Sequence, residues 1–243
     1  MTDATGMRSV FDLPPEVPFY RLAPLYDFIY RHEFDYDRQA ERVRAVASAA
    51  GVLELACGTG RLAARLADEE YVGVDAATPM LEVARRNVGA RFVRADARQV
   101  AFDRSFGAVA MLGRSSAHFG VEDLRSVADV AREHLDDGGG FVLDAHDRAT
   151  LEDGYSSDDR YETDRWTVRY RGESTTTGGG WCTHEYRVDV RDRTRELSST
   201  FEGSYEMRFW STAEIREVLG GAGFGTFRVE TENGRIDATA LLS

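Results

Sequence analysis

The sequence predicts an α/β protein built on a doubly wound, mostly parallel sheet. Three observations carry this prediction. The 243 residues are enough for a self-standing core. Five short apolar segments alternate with helix-like segments between residues 36 and 146, which is typical of right-handed βαβ units. After residue 150 the pattern changes to apolar residues at every second position, which is typical of antiparallel strands.

The first half of the chain contains the predicted parallel strands and their helices. A helix is expected from Tyr36 to Ala50, where apolar residues recur every three or four positions and Gly51 follows. Thr78 and Pro79 are typical of a helix start. The further predicted helices cover 61–69, 79–88 and 121–135, and the predicted strands are Val52–Ala56, Tyr71–Val74, Arg91–Ala95, Phe106–Met111 and Phe141–Ala145.

The second half of the sequence predicts a small antiparallel insert, followed by a helix and two strands that belong to the main sheet. Three strands are expected between Trp166 and Phe209, with turns at 175–180 and 192–195. Ser211–Glu214 is a capping box that opens a helix, and Asn233–Gly234 joins two last strands in a hairpin. We expect residues 1–150 and 211–243 to form the core, with 1–35 as an arm or lid. Residues 151–210 then form an insert that is either an acceptor lid or a dimer surface.

Charge and cysteine content limit the possible partners and setting. The net charge is −12, and all thirty basic residues are arginine, which favours either a high-salt cytoplasm or GC-rich codon usage. Such an acidic chain is not expected to bind duplex nucleic acid. With two cysteines, no membrane-spanning segment and no secretory signal, the expected location is the cytoplasm.

A glycine-containing turn and two aspartates indicate a ligand site. Gly58 and Gly60 directly follow the first strand, where glycine permits a tight turn and close approach of a ligand. Asp75 ends the second strand seventeen residues later, where a carboxylate can accept the hydroxyls of a ribose. Asp96 ends the third strand and could accept a hydrogen bond from an adenine amino group. The alternatives to a ligand site are that the glycines form an ordinary turn between strand and helix, and that Asp75 and Asp96 are solvated charges at strand ends.

In these motifs the sequence resembles the class I S-adenosylmethionine-dependent methyltransferases. The resemblance covers Glu54–Gly60, Gly73–Asp75 with Thr78–Leu81, Ala95–Ala97, Phe106–Val109 and His134–Phe141. It implies a seven-stranded sheet with an antiparallel last strand, S-adenosylmethionine as cofactor and S-adenosylhomocysteine as product. The cofactor-binding residues that it implies are Glu54, Ala56, Gly58, Gly60, Asp75, Ala76, Met80, Asp96, Ala97, Met111, Leu112 and Tyr26.

A finer resemblance is to the sugar N,N-dimethyltransferases and related small-molecule N-methyltransferases. It rests on Tyr26–Tyr30, on the histidine at position 118 after the fourth strand, and on the late β insert. It implies that His118 is the base or orients the acceptor, and that aromatic residues of the arm close over the cofactor. Gly113–Arg114 departs from the bulkier apolar pair usual there, which implies a more open and cationic pocket. The candidate acceptor contacts are Tyr20, Tyr30, Arg114, Arg208 and Trp210; packing or surface roles are the alternatives.

The expected reaction is methyl transfer to a small-molecule acceptor, with an amine favoured over a hydroxyl. A non-catalytic S-adenosylmethionine-binding protein and an NAD(P)-dependent oxidoreductase are the alternatives, since Gly58–Ala63 also fits a dinucleotide-binding fingerprint. No metal site is expected, because the five histidines show no ligand spacing. A homodimer is possible, and a membrane is not expected as a partner.

Overall fold

The computed structural model describes residues 7–66 and 69–242, and these fall into two compact units. One unit contains the described residues up to Glu33 together with Leu151–Met207, and the other contains Phe34–Thr150 and the chain from Arg208 onward. Within the described residues, no helix is long and apolar enough to cross a membrane.

The helices and strands are numbered in chain order. The α-helices are α1 (Ala23–Tyr30), α2 (Tyr36–Arg44), α3 (Thr78–Asn87), α4 (Val121–Glu133) and α5 (Thr212–Gly221). The strands are β1 (Val52–Leu55), β2 (Tyr71–Asp75), β3 (Arg91–Arg94), β4 (Phe106–Met111), β5 (Leu135–His146), β6 (Tyr155–Glu162), β7 (Trp166–Gly178), β8 (Trp181–Asp192), β9 (Leu197–Arg208), β10 (Thr226–Glu232) and β11 (Arg235–Leu241).

The larger unit is organised by a seven-stranded sheet in the order β10-β11-β5-β4-β1-β2-β3. β1 pairs in parallel with β2 and with β4, β2 pairs in parallel with β3, and β4 pairs in parallel with β5. β11 lies between β5 and β10 and is antiparallel to both. The predicted α/β class, with a mostly parallel sheet and an antiparallel last strand, is confirmed. The carboxyl ends of β1, β2, β3 and β4 therefore meet at one edge.

Both faces of this sheet are covered by helices, which explains the continuous apolar strands. All four residues of β1 and all six of β4 are buried. Leu53 and Val109 pack in one cluster with residues of α4 and α5, such as Leu124. Val52 and Ala108 contribute to a second cluster with residues of α2 and α3.

Two helices of the larger unit are shorter than predicted. α2 ends at Arg44 rather than Ala50, because the N–H of Ser48 bonds to the Gly107 carbonyl and its hydroxyl to Asp136. In the predicted helix 61–69, the structure shows a 3₁₀ turn at Ala63–Arg65; residues 67 and 68 lie outside the described part. The N–H of Leu66 is shared between the carbonyls of Leu62 and Ala63, which is typical of a helix end.

The smaller unit contains an antiparallel sheet in the order β6-β7-β8-β9. β7 and β8 alternate buried and exposed residues, as the sequence predicts, and their buried face packs with apolar residues of the arm such as Leu22 and Phe28. The sequence predicts three strands here, whereas the structure has four. The additional strand, β6, lies at an edge and is mostly exposed, so it carries no apolar alternation that could reveal it.

Candidate functional site

The turn after β1 leaves part of the backbone open to a ligand. Ala56, Gly58 and Gly60 all adopt left-handed conformations, with φ of 57°, 53° and 71°. A Cβ built on Gly58 would meet no atom within 4 Å, whereas one on Gly60 would lie 3.1 Å from Ala84 and 3.0 Å from Phe92. Gly58 is thus the open position, and Gly60 permits close packing against α3.

Asp75 stands at the tip of β2 and is bonded to two loops. Its Oδ2 accepts the N–H of Gly58 at 2.9 Å, and its Oδ1 accepts the N–H of Ala77 at 2.8 Å. Burial raises the pKa of Asp75, although both N–H bonds oppose this shift. The carboxylate is therefore held beside the open glycine, where it can accept further hydrogen bonds.

Glu54 lies beneath this turn rather than on its surface. It is 4% exposed, and the Tyr71 hydroxyl donates a hydrogen bond to its carboxylate. Burial raises the pKa of Glu54 to about 8, against the effect of the Tyr71 bond. Of the two other predicted residues near Asp75, Ala76 is exposed and Met80 is buried in α3.

Asp96 follows β3 and is already paired within the chain. Its carboxylate binds the Arg98 guanidinium, with Nη2 at 2.5 Å from Oδ2, and Arg98 also reaches Asp123 at 2.8 Å. The bond to Arg98 lowers the pKa of Asp96. The neighbouring Ala97 is 6% exposed. An adenine amino group would therefore have to share the carboxylate with Arg98.

The turn after β4 connects the glycine turn to His118. Gly113 and Arg114 are left-handed, and a 3₁₀ turn runs from Ser115 to His118. The Ser115 hydroxyl donates to the Leu112 carbonyl at 2.9 Å and lies 3.4 Å from the Ala56 carbonyl. The turn that carries His118 thus lies next to the turn that carries Gly58.

His118 is exposed at the end of this turn and lies within electrostatic reach of Asp75. Protein atoms around the imidazole displace water and lower the pKa of His118, and the Asp75 charge only partly offsets this. The lowered pKa favours the neutral imidazole, which can accept a proton. The other predicted residues of this strand end, Met111 and Leu112, are buried in the apolar clusters.

Two of the predicted acceptor contacts, Trp210 and Arg208, are buried and bonded to other residues of the chain. Trp210 is fully buried, and its indole N–H donates to the Ser116 carbonyl at 3.2 Å. Arg208 is 8% exposed, lies over the Trp210 ring at 4.5 Å and forms an ion pair of 2.8 Å with Glu214. A third, Arg114, is half-buried with its guanidinium 5.8 Å from the Phe34 ring centroid.

The three predicted tyrosines belong to the smaller unit. Tyr20 is 49% exposed, and Tyr26 and Tyr30 are half-buried with their ring centroids 4.4 Å apart. Both of these rings also contact Phe19. Among residues 7–66 and 69–242, no group of three or more metal-ligating side chains is arranged to hold a metal ion.

Asp144 is a site residue that the sequence reasoning missed. It lies in β5 and is 2% exposed, and its carboxylate accepts the N–H groups of Gly113 and Arg114. The available signal was an aspartate in the otherwise apolar segment Phe141–Ala145, because a buried carboxylate needs bonding partners.

Comparison with known proteins finds methyltransferases among the proteins that this chain is similar to. Residues 52–139 match the family model of a methyltransferase domain. YqeM of Bacillus subtilis, a protein named as a methyltransferase, is 25% identical over 223 residues, which are 86% of this chain and 87% of YqeM.

Two solved structures share the fold over most of both chains. Streptomyces venezuelae DesVI has a TM-score of 0.81 and 26% identity, with 91% of this chain and 98% of DesVI covered. CalS10 is an amino pentose methyltransferase from Micromonospora echinaspora with S-adenosylmethionine bound. It has a TM-score of 0.76 and 25% identity, with 89% of this chain and 96% of CalS10 covered.

Proposed function

We propose that this chain, a class I S-adenosylmethionine-dependent methyltransferase, transfers the methyl group to an amine nitrogen of a small molecule such as an amino sugar. The methyltransferase assignment rests on the match of residues 52–139 and on the fold shared with CalS10 and DesVI. The enzyme uses S-adenosylmethionine as its cofactor. The sugar-like acceptor is suggested by CalS10, which acts on an amino pentose, and by the histidine after β4.

The residues at the sheet edge fit this cofactor. Gly58 offers backbone with open space in front of it, and Asp75 offers a held carboxylate for ribose hydroxyls. We expect Gly58, Gly60 and Ala56 to surround the methionine part, and Asp96, Ala97 and Met80 to border the adenine. Glu54 would support the turn from below. When bound, the cofactor supplies an electrophilic methyl group on a positively charged sulfur.

His118 is the residue that we expect to act on the acceptor. An amine that is protonated at neutral pH must lose a proton before its lone pair can attack. A lowered pKa favours the neutral form of the His118 imidazole, which can accept this proton. The observation that carries the proposal is the proximity of the two turns: Ser115 of the His118 turn lies 3.4 Å from the Ala56 carbonyl of the open glycine turn, and the charge of Asp75 acts on His118.

Positioning is the other contribution of the protein. Holding two reactants at attack distance can supply up to about 7–11 kcal/mol in favourable intramolecular cases. Arg114 is our candidate for contact with an anionic group of the acceptor, since it stands next to the His118 turn. Tyr20, Tyr26 and Tyr30 stay predictions as acceptor or cofactor contacts, and the insert stays a predicted lid or dimer surface.

The experiment measures S-adenosylhomocysteine formation with amino hexoses and amino pentoses, free and nucleotide-linked, against the matching hydroxyl sugars. Turnover is expected with amino sugars only. Replacement of the base, His118→Gln, is expected to lower turnover by about 10²–10⁴-fold while the Kd for S-adenosylmethionine stays unchanged. His32→Gln is the control, because His32 is an exposed histidine of the other unit. Equal turnover of His118→Gln and the parent enzyme would remove His118 from the mechanism.

A further inference from the structure

Two successive backbone N–H groups in the turn after β4 point at one buried carboxylate. The N–H of Gly113 donates to Oδ2 of Asp144 at 3.2 Å, and the N–H of Arg114 donates to Oδ1 at 2.6 Å. Consecutive N–H groups in turn conformations form concavities that bind anions. Here the anion is a side chain of the same chain, 2% exposed in β5.

The conformation of this turn needs support. Gly113 has φ of 70° and Arg114 has φ of 61° and ψ of 24°. A non-glycine residue such as Arg114 is disfavoured in the left-handed region, because its Cβ crowds the following carbonyl oxygen. The two bonds to Asp144 offset this cost, since hydrogen bonds to a charged group are stronger than those between neutral groups. Without them the start of the turn would relax toward more favourable backbone angles.

The same aspartate also fixes the middle of the turn. The Ser116 hydroxyl donates to the backbone carbonyl of Asp144 at 2.8 Å, and the Ser116 carbonyl in turn accepts the indole N–H of Trp210. His118 follows two residues later at the end of the same 3₁₀ turn. The middle of the turn is therefore held through main-chain atoms, and the Asp144 carboxylate holds its start at Gly113 and Arg114.

We propose that Asp144 is a positioning residue for methyl transfer, whose carboxylate holds the Gly113–Arg114 turn in the conformation that presents His118 to the acceptor. It acts through the turn and touches neither the cofactor nor the acceptor. This inference rests on the proposed function, because it gives His118 the role assigned there.

The charges around Asp144 favour its ionised form only weakly. Arg114 belongs to the turn itself. Arg42 extends from α2 and donates hydrogen bonds to the carbonyls of Leu143 in β5 and Ala238 in β11. Two acidic groups face Asp144 as well: Asp237, directly opposite in β11, and Glu54 in β1. Arg42 is also bound to Asp237, with Nη1 at 2.7 Å. Its charge is therefore shared between two carboxylates.

Protonation of Asp144 would weaken this arrangement. Burial raises the pKa of Asp144 to about 6, while the Arg114 N–H and the Arg42 charge oppose the shift. A protonated carboxyl group carries a donor on one oxygen, so it accepts two N–H groups less well. The turn is accordingly expected to loosen as the pH falls through about 6.

The test has a structural arm that needs no acceptor. In the full chain with S-adenosylmethionine bound, the amide protons of Gly113 and Arg114 are followed by NMR from pH 5 to 8. They are expected to titrate together near pH 6 in the parent protein and in His118→Gln. In Asp144→Asn they are expected not to titrate, and the His118 ring signals are expected to shift. Amides that do not titrate in the parent protein would overturn the proposal, and this arm holds even if Asp144→Asn fails to fold.

The kinetic arm uses the amino sugar that gives the fastest turnover. Asp144→Asn is expected to lower kcat by about 10- to 100-fold, because small misplacements of a reacting group have effects of this size. The Kd for S-adenosylmethionine is expected to stay within threefold. Asp137→Asn is the matched control, since it removes the same charge from the exposed start of the same strand.

The two arms separate the two proposals. Parent-like kcat in Asp144→Asn, or a loss of cofactor affinity as large as the loss of kcat, contradicts the positioning role. If the amides behave as expected but no amino sugar is methylated, the proposed function fails while the anchoring of the turn by Asp144 stands.

Discussion

The backbone N–H of Gly58 donates a hydrogen bond of 2.9 Å to Oδ2 of Asp75, which joins the turn after β1 to the tip of β2. The other oxygen of Asp75 accepts the N–H of Ala77. An ionised carboxylate has about four acceptor sites. Two of them are therefore occupied within the chain, and two are left for the two hydroxyls of a ribose.

Asp75→Asn is expected to weaken binding of S-adenosylmethionine by about 10- to 100-fold. The amide has one oxygen in place of two and loses the charge, and each charge-assisted hydrogen bond contributes about 1.5–3 kcal/mol. Calorimetric titration with the cofactor measures this. Asp103→Asn, at an exposed aspartate, is the control and should bind like the parent. An unchanged Kd in Asp75→Asn would mean that the ribose lies elsewhere.

Glu54 is expected to make the protein less stable as the pH rises from about 4.5 to about 8. Burial raises the pKa of its carboxyl group to about 8, so the folded state keeps a proton that the unfolded chain has already released. The contribution is fully present below the unfolded pKa and is lost as the pH rises through the folded pKa. Urea unfolding of the parent and of Glu54→Gln at pH 5, 6.5 and 8 measures it. The free energy of unfolding should fall more steeply in the parent; equal slopes would contradict the prediction.

Gly73→Ala is expected to destabilise the fold by about 1–3 kcal/mol. A Cβ at this position in β2 would lie 2.8 Å from Phe92 and 2.9 Å from the Cys57 sulfur, and overpacking of a core has effects of this size. Gly89→Ala is the matched control, because a Cβ there would meet nothing within 4 Å. Thermal unfolding compares the two variants, and equal Tm values would show that the Gly73 contact relaxes freely.

The Tm is expected to rise as KCl increases from 0.1 M to 2 M. The net charge of −12 destabilises the compact state by self-repulsion, and the Debye length shrinks from about 10 Å to less than 3 Å over this range. Exposed ion pairs such as Arg169–Asp158 oppose the trend, but each contributes at most about 1 kcal/mol. A flat or falling Tm would favour codon usage as the origin of the acidic, lysine-free composition.

The parallel strands could be predicted from the sequence because each is short, apolar and buried on both faces. β1 and β4 show this most clearly, and their observed bounds lie within one residue of the predicted ones. The capping box at Ser211 is also confirmed, with the Ser211 hydroxyl accepting the N–H of Glu214. In these elements the local pattern and the tertiary environment favour the same structure.

The elements that were missed depend on contacts distant in sequence. The helix expected over 61–69 is a 3₁₀ turn in the described residues, and β6 forms by pairing with β7 despite a polar sequence. Trp210 was predicted to contact the acceptor, but it is fully buried and its indole N–H donates to the Ser116 carbonyl. No local pattern distinguishes an aromatic residue that binds a ligand from one that supports a turn.

By itself the sequence determined the class of fold and the glycine turn with Asp75, because strand periodicity and glycine requirements are local properties of the chain. The expected cofactor came from the resemblance of these motifs to a known family. Only the tertiary structure decided which groups meet: Arg98 on Asp96, Tyr71 on Glu54 and Asp144 beneath the His118 turn. Such pairings depend on strand order and register, which bring Asp144 of β5 beside Gly113, thirty-one residues earlier in the chain.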